Sequence, residues 1–372
     1  MTRSLRKMPC LLSFVLLALL GSQSLAQSGR VTPTPTPEEP IKVETEEIKL
    51  NVLAFDSQGR FFKDVSANDL VITENDILHQ PASVRRIPAN VLIVLDTGGE
   101  MRYLKSLDKT RQVARALIGA LGAEDNVAIM QYADTAELID EFTNDRRRTL
   151  DAIMKRTKFG RGSALIEAVT MATDMLRNLP VDNRHLVFIT DGTDGRNRSS
   201  ARFDAFQKLM ATDISVHVFS YTSMESTDIE PRTKGISKSP PPKAMPDEVA
   251  KQLPNGARDV ATAPKMVTIN TDRTFIRSMK ARKASLDVAE AELRKLADST
   301  NGEFILPTSV DEMIEKAPLV ARMIDSAYVV TYVPKVPIVA TRGLAERKIE
   351  VTSKRPGLEV QARRRLLVQE TK

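Results

Sequence analysis

The stretch that most constrains the fold is Asn90–Met101, NVLIVLDTGGEM. Val91–Leu95 is an unbroken apolar run rich in β-branched residues. A run this short and this apolar predicts a strand buried on both faces, as in a parallel sheet. It ends in one carboxylate, Asp96. Gly98 and Gly99 then permit a tight turn, and a helical pattern follows over Met101–Leu121. Strand, loop and helix in that order place Asp96 at the carboxyl end of a strand, where open α/β sheets gather their ligand sites. His185–Thr190 repeats the arrangement and ends in Asp191-Gly192-Thr193-Asp194-Gly195. Between the two, Gly160-Arg161-Gly162-Ser163-Ala164-Leu165 puts a glycine-flanked serine at the start of another helix. Asp96, Ser163 and Asp191 therefore stand on three loops able to converge on one point.

The alternation continues on both sides of these loops. Asp125–Tyr132 and Ile214–Tyr221 read as strands, Ala136–Phe142 as a paired edge, and Glu303–Leu306 as a short last strand. Arg146–Arg156, Ser163–Asn178, Ala201–Met210, Val288–Ser299 and Val310–Asp325 carry helical patterns. Such alternation predicts an α/β domain over 89–326 with a doubly wound, mostly parallel, Rossmann-like sheet. Residues 222–286 break the pattern. They contain Pro240-Pro241-Pro242, no sustained periodicity, and 12 Lys or Arg against 7 Asp or Glu. They are expected to form an irregular insertion and a candidate partner surface. Two flanking segments read as small β elements, 44–88 before the domain and 327–372 after it. In the first, Ile48, Leu50, Val52 and Ala54 alternate with Lys49, Asn51 and Leu53, and Asp56–Gly59 forms a turn. In the second, Tyr328–Val333 and Arg347–Ser353 read as antiparallel strands, with Leu358–Leu367 a third strand or a tail.

The order and spacing of these loops resemble the von Willebrand factor type A (vWA) domain, over about Asn90 to Tyr221. That family carries a metal-ion-dependent adhesion site built from Asp-x-Ser-x-Ser, a distant Thr and a distant Asp. The resemblance implies Mg²⁺, or Mn²⁺ or Ca²⁺, held through oxygens, with an open position that a partner's acidic side chain fills. Residue by residue, Asp96 matches the first Asp, Gly98 replaces the first Ser and Glu100 the second. Ser163 stands for the Thr, and Asp191 matches the last Asp. The implied metal set is Asp96, Glu100, Ser163 and Asp191, a degenerate form of the site. Glu100 either reaches the ion or serves as a carboxylate at a helix N-terminus, where negative charge is stabilising without metal. Asp194 reads as turn chemistry. His185 and His217 sit in apolar strand patterns and read as core or edge residues. The run Asn68–Asp76 and the terminal pattern are similar to secreted, acidobacterial-type proteins with vWA-related domains. That terminal pattern is Tyr328, Tyr332, Pro334, Arg347, Ile349, Val351, Arg355-Pro356-Gly357-Leu358-Glu359-Val360 and Arg363.

The amino terminus bears on location. Arg3, Arg6 and Lys7 precede the apolar run Leu11–Leu20, and Ser24-Leu25-Ala26 is a small-x-small end. This predicts a secretory signal peptide over 1–26, cut after Ala26. The apolar run is too short to span a bilayer comfortably, and no transmembrane segment is expected in the mature chain. Residues 27–43 repeat Thr-Pro and form a stiff linker. The one cysteine, Cys10, lies inside the signal, so the exported chain forms no disulfide. Removing the signal also takes three positive charges from a net of +6. No basic stripe interleaved with aromatics remains, and nucleic acid is not an expected partner. Asp96-Thr97-Gly98 matches the aspartic-protease tripeptide, yet that chemistry needs two such aspartates sharing a proton. The chain has no second Asp-Thr-Gly, and no Ser-His-Asp or Cys-His arrangement. The expected function is a non-enzymatic, secreted module, periplasmic or extracellular, binding an unknown protein partner. The alternative is a metal-independent structural or assembly scaffold of the cell envelope.

Overall fold

All seven residues of the strand Asn90–Asp96 are buried, because strands border it on both edges and helices cover both faces. The computed structural model describes residues 47–99, 106–195, 199–239, 254, 267–337 and 344–369, within one compact unit spanning 45–372. The expected signal over 1–26 and linker over 27–43 lie outside the described residues. In chain order the first elements are β1 (Ile48–Phe55), β2 (Leu70–Glu74), β3 (Ile77–His79), β4 (Ser83–Arg85), β5 (Asn90–Asp96), α1 (Leu107–Ala120) and β6 (Asn126–Tyr132). Then come β7 (Ala136–Thr143), α2 (Arg146–Arg156), α3 (Leu165–Arg177), β8 (Arg184–Thr190), α4 (Ser199–Met210), β9 (Ser215–Ser220) and α5 (Thr222–Ile229). The rest are β10 (Ile236–Ser237), β11 (Thr268–Ile269), α6 (Arg273–Ser299), β12 (Phe304–Ile305), α7 (Val310–Asp325), β13 (Ala327–Tyr332), β14 (Leu344–Ser353), β15 (Glu359–Gln361) and β16 (Arg365–Gln369).

The central sheet runs β12-β9-β8-β5-β6-β7. Every pairing in it is parallel except the last, where β7 runs antiparallel at the edge. Successive side chains of a strand point to opposite faces, and β5 divides accordingly. Val91, Ile93 and Leu95 join the core under α1, α2 and α7. Leu92 and Val94 join the core under α3, α4 and α6. Each such side chain, fully buried, contributes about 1.5–3 kcal/mol of transfer free energy. The fold is therefore the doubly wound α/β arrangement expected from the buried runs.

The irregular stretch expected over 222–286 is a correction. α5 occupies its first eight residues, and α6 begins at Arg273 and runs for 27. Only the second half of α6 is buried against the sheet, through Leu286, Ala289, Leu293, Leu296 and Ala297. Its first half is held by charged contacts and shows no apolar stripe for a periodicity search to find. Asp272 caps that half, accepting from the N–H groups of Thr274 and Phe275.

The two flanking β segments are not separate. β15, β1, β13 and β4 form one four-stranded antiparallel sheet, and β16, β14, β2 and β3 form another. Each sheet draws strands from both ends of the chain, around a shared core that includes Ile48, Leu50, Val52, Ile72, Val330 and Ile349. This body docks on the amino end of the central sheet. Asn51 Nδ2 donates to Ser215 Oγ at 3.1 Å, Asn301 Nδ2 to the Asn51 carbonyl at 3.1 Å, and buried Arg363 to the carbonyls of Thr212 and Ile214.

His185 and His217 are core residues, each 1% exposed. The Glu303 N–H donates to His217 Nδ1 at 3.1 Å, the two rings meet Nε2 to Nδ1 at 3.2 Å, and His185 Nε2 lies 2.9 Å from Asn183 Oδ1. One arrangement satisfies the row: each ring is neutral with its proton on Nε2. Burial holds His217 down at about 4. Burial, then the charge of its neighbour, holds His185 well below its usual value. Both folded values are depressed, so the unfolded chain takes up protons first. Stability is complete above the unfolded value near 6.5 and falls as pH drops from there toward 4. Urea unfolding between pH 7 and 5 should lose free energy with a slope approaching about 2.7 kcal/mol per pH unit, two protons at about 1.4 each. A flat profile would contradict the neutral buried pair.

Candidate functional site

The chain builds outward from β5 through β6 to β7, then returns to the other side of β5 with β8 and β9. Strand order reverses between β5 and β8, the position where doubly wound sheets open a crevice at their carboxyl ends. Asp96 and Asp191 stand there, one ending β5 and the other following β8. Both are fully buried.

Asp96 Oδ1 accepts from the Gly98 N–H and Oδ2 from the Thr190 hydroxyl, each at 3.2 Å. Thr190 Oγ1 in turn accepts from the Tyr132 hydroxyl at 2.5 Å and the Gly192 N–H at 2.7 Å. Burial, then the negative charges of Asp96 and Asp191, hold the Tyr132 phenol well above its ordinary value. Tyr132 is thus a neutral donor at the floor of the site.

Asp191 folds back on its own loop. Its Oδ1 accepts from both the N–H and the hydroxyl of Thr193 at 2.7 Å. Its Oδ2 accepts from Arg282 Nη2 at 2.9 Å. The same nitrogen donates to Glu225 Oε2 at 2.7 Å, and Nη1 donates to Thr193 Oγ1 at 3.0 Å. Both carboxylates are 0% exposed and the Arg282 side chain 29%. Burial opposes the guanidinium charge, but Asp191 and Glu225 outweigh it and hold Arg282 above its ordinary value.

The third loop is braced against the second. The Ser163 hydroxyl donates to the Thr193 carbonyl at 2.6 Å, and the Ser163 carbonyl accepts from the Gly195 N–H at 2.8 Å. Asp194 has a larger part than turn formation. α3 starts at Ala164 with no side-chain cap of its own, and Asp194 Oδ2 accepts from the Ile166 N–H at 3.0 Å. A carboxylate from a neighbouring loop thereby caps the helix.

Two glycines are demanded by packing. A Cβ on Gly98 would sit 1.9 Å from the Gly162 carbonyl oxygen and 2.9 Å from Ala133 Cα. Gly192 has φ +70°, and a Cβ there would meet Leu293 Cδ1 on α6 at 2.4 Å.

Of the residues singled out in the sequence, Asp96 and Asp191 both lie beside Tyr132, Ser163 is held on the Thr193 carbonyl, and Glu100 lies outside the described residues. Tyr132, Thr190, Glu225 and Arg282 were not among them. Tyr132 and Thr190 ended apolar strands and carried no distinguishing signal. Glu225 and Arg282 fell in the stretch read as irregular.

The described residues of this arrangement do not suit a resident divalent ion. Mg²⁺ takes six oxygens in near-octahedral order and sheds water reluctantly. Here both Asp191 oxygens are engaged, the Thr193 hydroxyl both donates and accepts, and Gly98 supplies no oxygen and has no room for one. Among the described residues no three His, Cys, Asp or Glu are grouped to hold a metal. Among the described residues, the Arg282 guanidinium stands beside Asp191.

Residues 91–193 match the von Willebrand factor type A domain family. No curated protein matches the chain. Among solved structures it is similar to an aerotolerance-related membrane protein from Bacteroides fragilis, with 18% identity, a TM-score of 0.40, and coverage of 64% of this chain and 98% of that one. A conserved hypothetical protein BatB from Bacteroides thetaiotaomicron shows 16% identity, a TM-score of 0.37, and coverage of 63% and 98%. A von Willebrand factor type A structure from Catenulispora acidiphila shows 11% identity, a TM-score of 0.41, and coverage of 88% and 74%. These likenesses are distant and say nothing of what this chain binds.

The Gly98 contacts make a sharp prediction. Gly98→Ser, which would return the family's first serine, should destabilise the chain by about 1–3 kcal/mol through overpacking against Gly162. Urea unfolding of the variant checks this, and wild-type stability would show that the loops are looser than described.

Proposed function

We propose that the chain is an exported, non-enzymatic protein-binding module whose partner docks at the carboxyl end of the six-stranded sheet. One observation carries this reading. Three loops are locked to each other there by Ser163 to Thr193, Asp194 to Ile166 and Gly98 against Gly162, giving a fixed platform on a rigid scaffold. Beside it opens a cleft of about 410 Å³ between α4 and α6. Arg202 crosses the cleft to Glu292 and also donates to the Gly192 carbonyl at 2.9 Å, and Val288 on its wall is 59% exposed. The family match over 91–193 supports the reading, since vWA domains are generally interaction modules. The β body docks against the amino end of the sheet through Asn51, Asn301 and Arg363.

Export is supported by the basic, apolar and small-residue order of 1–26. The terminal pattern from Tyr328 to Arg363 supports a likeness to secreted vWA-related proteins. Among the described residues no helix is long and apolar enough to cross a membrane.

Photo-crosslinkers placed at Val288, on the cleft, and at Glu124, at the other end of the sheet, test the docking face in cells of the native host. A discrete protein adduct is expected from position 288 and none from 124, with the purified chain beginning at Gln27. Adducts from 124 alone, or an intact Met1 in the cytoplasmic fraction, would contradict the proposal.

A further inference from the structure

A positive charge from within the chain already stands at the centre of the platform. Arg282 Nη2 lies between Asp191 Oδ2 at 2.9 Å and Glu225 Oε2 at 2.7 Å. Arg282 comes from α6, which is anchored on the central sheet through Leu286, Leu293 and Leu296. Leu293 of the same helix packs on Gly192 and fixes the Asp191 loop against it. The adjacent Lys283 ties α6 to α5 by donating to Ser226 Oγ at 2.8 Å. The guanidinium is therefore held on its carboxylates by the fold.

We propose that Arg282 is the resident cation of this site: its guanidinium takes up the Asp191 oxygen that a metal ion would need, with Glu225 as its second carboxylate, and the platform keeps its shape without metal. The chemistry favours arginine for the task. A planar guanidinium donates several fixed hydrogen bonds, keeps its charge at every relevant pH, and is less strongly hydrated than an ammonium. A bound metal offers a vacant coordination position to a partner's carboxylate, whereas here the positive charge faces two carboxylates of its own chain. This inference concerns the charge of the site and stands or falls independently of whether a protein docks there.

The test is thermal unfolding of the full exported chain in EDTA and in millimolar Mg²⁺, Mn²⁺ or Ca²⁺, for wild type, Asp191→Asn, Arg282→Gln and the doubly neutralised Asp191→Asn/Arg282→Gln. A metal that binds only the folded state must raise the midpoint. Wild type should shift by less than about 1 °C with any of the three ions. Arg282→Gln should unfold on the order of 5–10 °C earlier in EDTA, because it leaves buried carboxylates without their cation. The double variant should recover part of that loss. A wild-type midpoint raised by metal and made indifferent by Asp191→Asn would overturn the proposal, as would Arg282→Gln unfolding with wild type. If Arg282→Gln is not recovered folded, the wild-type titration and the double variant still decide. Terbium luminescence on wild type, expected to stay at the buffer level, gives an independent reading, and saturable emission lost in Asp191→Asn would overturn the inference.

Discussion

The contact on which this end of the molecule depends is one nitrogen of Arg282 held between two fully buried carboxylates, Asp191 and Glu225. Charges removed from water are costly unless geometry and extra hydrogen bonds compensate them. Here the compensation is built from Thr193, which donates to Asp191 and accepts from Arg282, so the loop after β8 closes on itself and on α6 at once. Glu225 lies on α5 and Arg282 on α6, so the same pair seats both helices at the strand end. The Asp191 loop in turn carries Asp194, which caps α3, and the Thr193 carbonyl, which holds Ser163. One ion cluster thus governs the relative placement of two loops and three helices.

The opposite end of the sheet is organised by a different principle. Two antiparallel sheets woven from both chain ends bury an apolar core of their own and dock through buried polar side chains. Asn51, Asn301 and Arg363 satisfy backbone carbonyls and a hydroxyl at the starts of β9 and its neighbours. Lys49 and Arg85 converge on Asp182 just before β8. Directional contacts of this kind fix one docking geometry where an apolar face would tolerate several.

Much of this was legible in the sequence because the relevant signals are local. The apolar runs Val91–Leu95 and Leu186–Ile189 could only be strands covered on both faces, and the carboxylates ending them fell where a doubly wound sheet exposes its strand ends. The alternation of Ile48, Leu50, Val52 and Ala54 gave the core face of β1. What could not be read is what depends on pairing across long separations. Nothing in the periodicity of 44–88 says that β1 pairs with β13 or β2 with β14. The amino half of α6 was missed because ionic anchoring leaves no apolar stripe. The same gap hid Arg282, the residue that decides the chemistry of the site. Gly98 was read as a missing ligand, whereas its packing against Gly162 shows a position at which no side chain fits.

The most direct measurement of the central claim is nitrogen-15 NMR of the arginine side chains in the exported chain. A guanidinium held on two buried carboxylates rotates slowly about its Cζ–Nη bonds and protects its protons from solvent. The account predicts a resolved, protected Nη resonance that disappears in Arg282→Lys and collapses to the exposed position in Asp191→Asn. An Arg282 signal averaged with the surface arginines, and unmoved by Asp191→Asn, would contradict it.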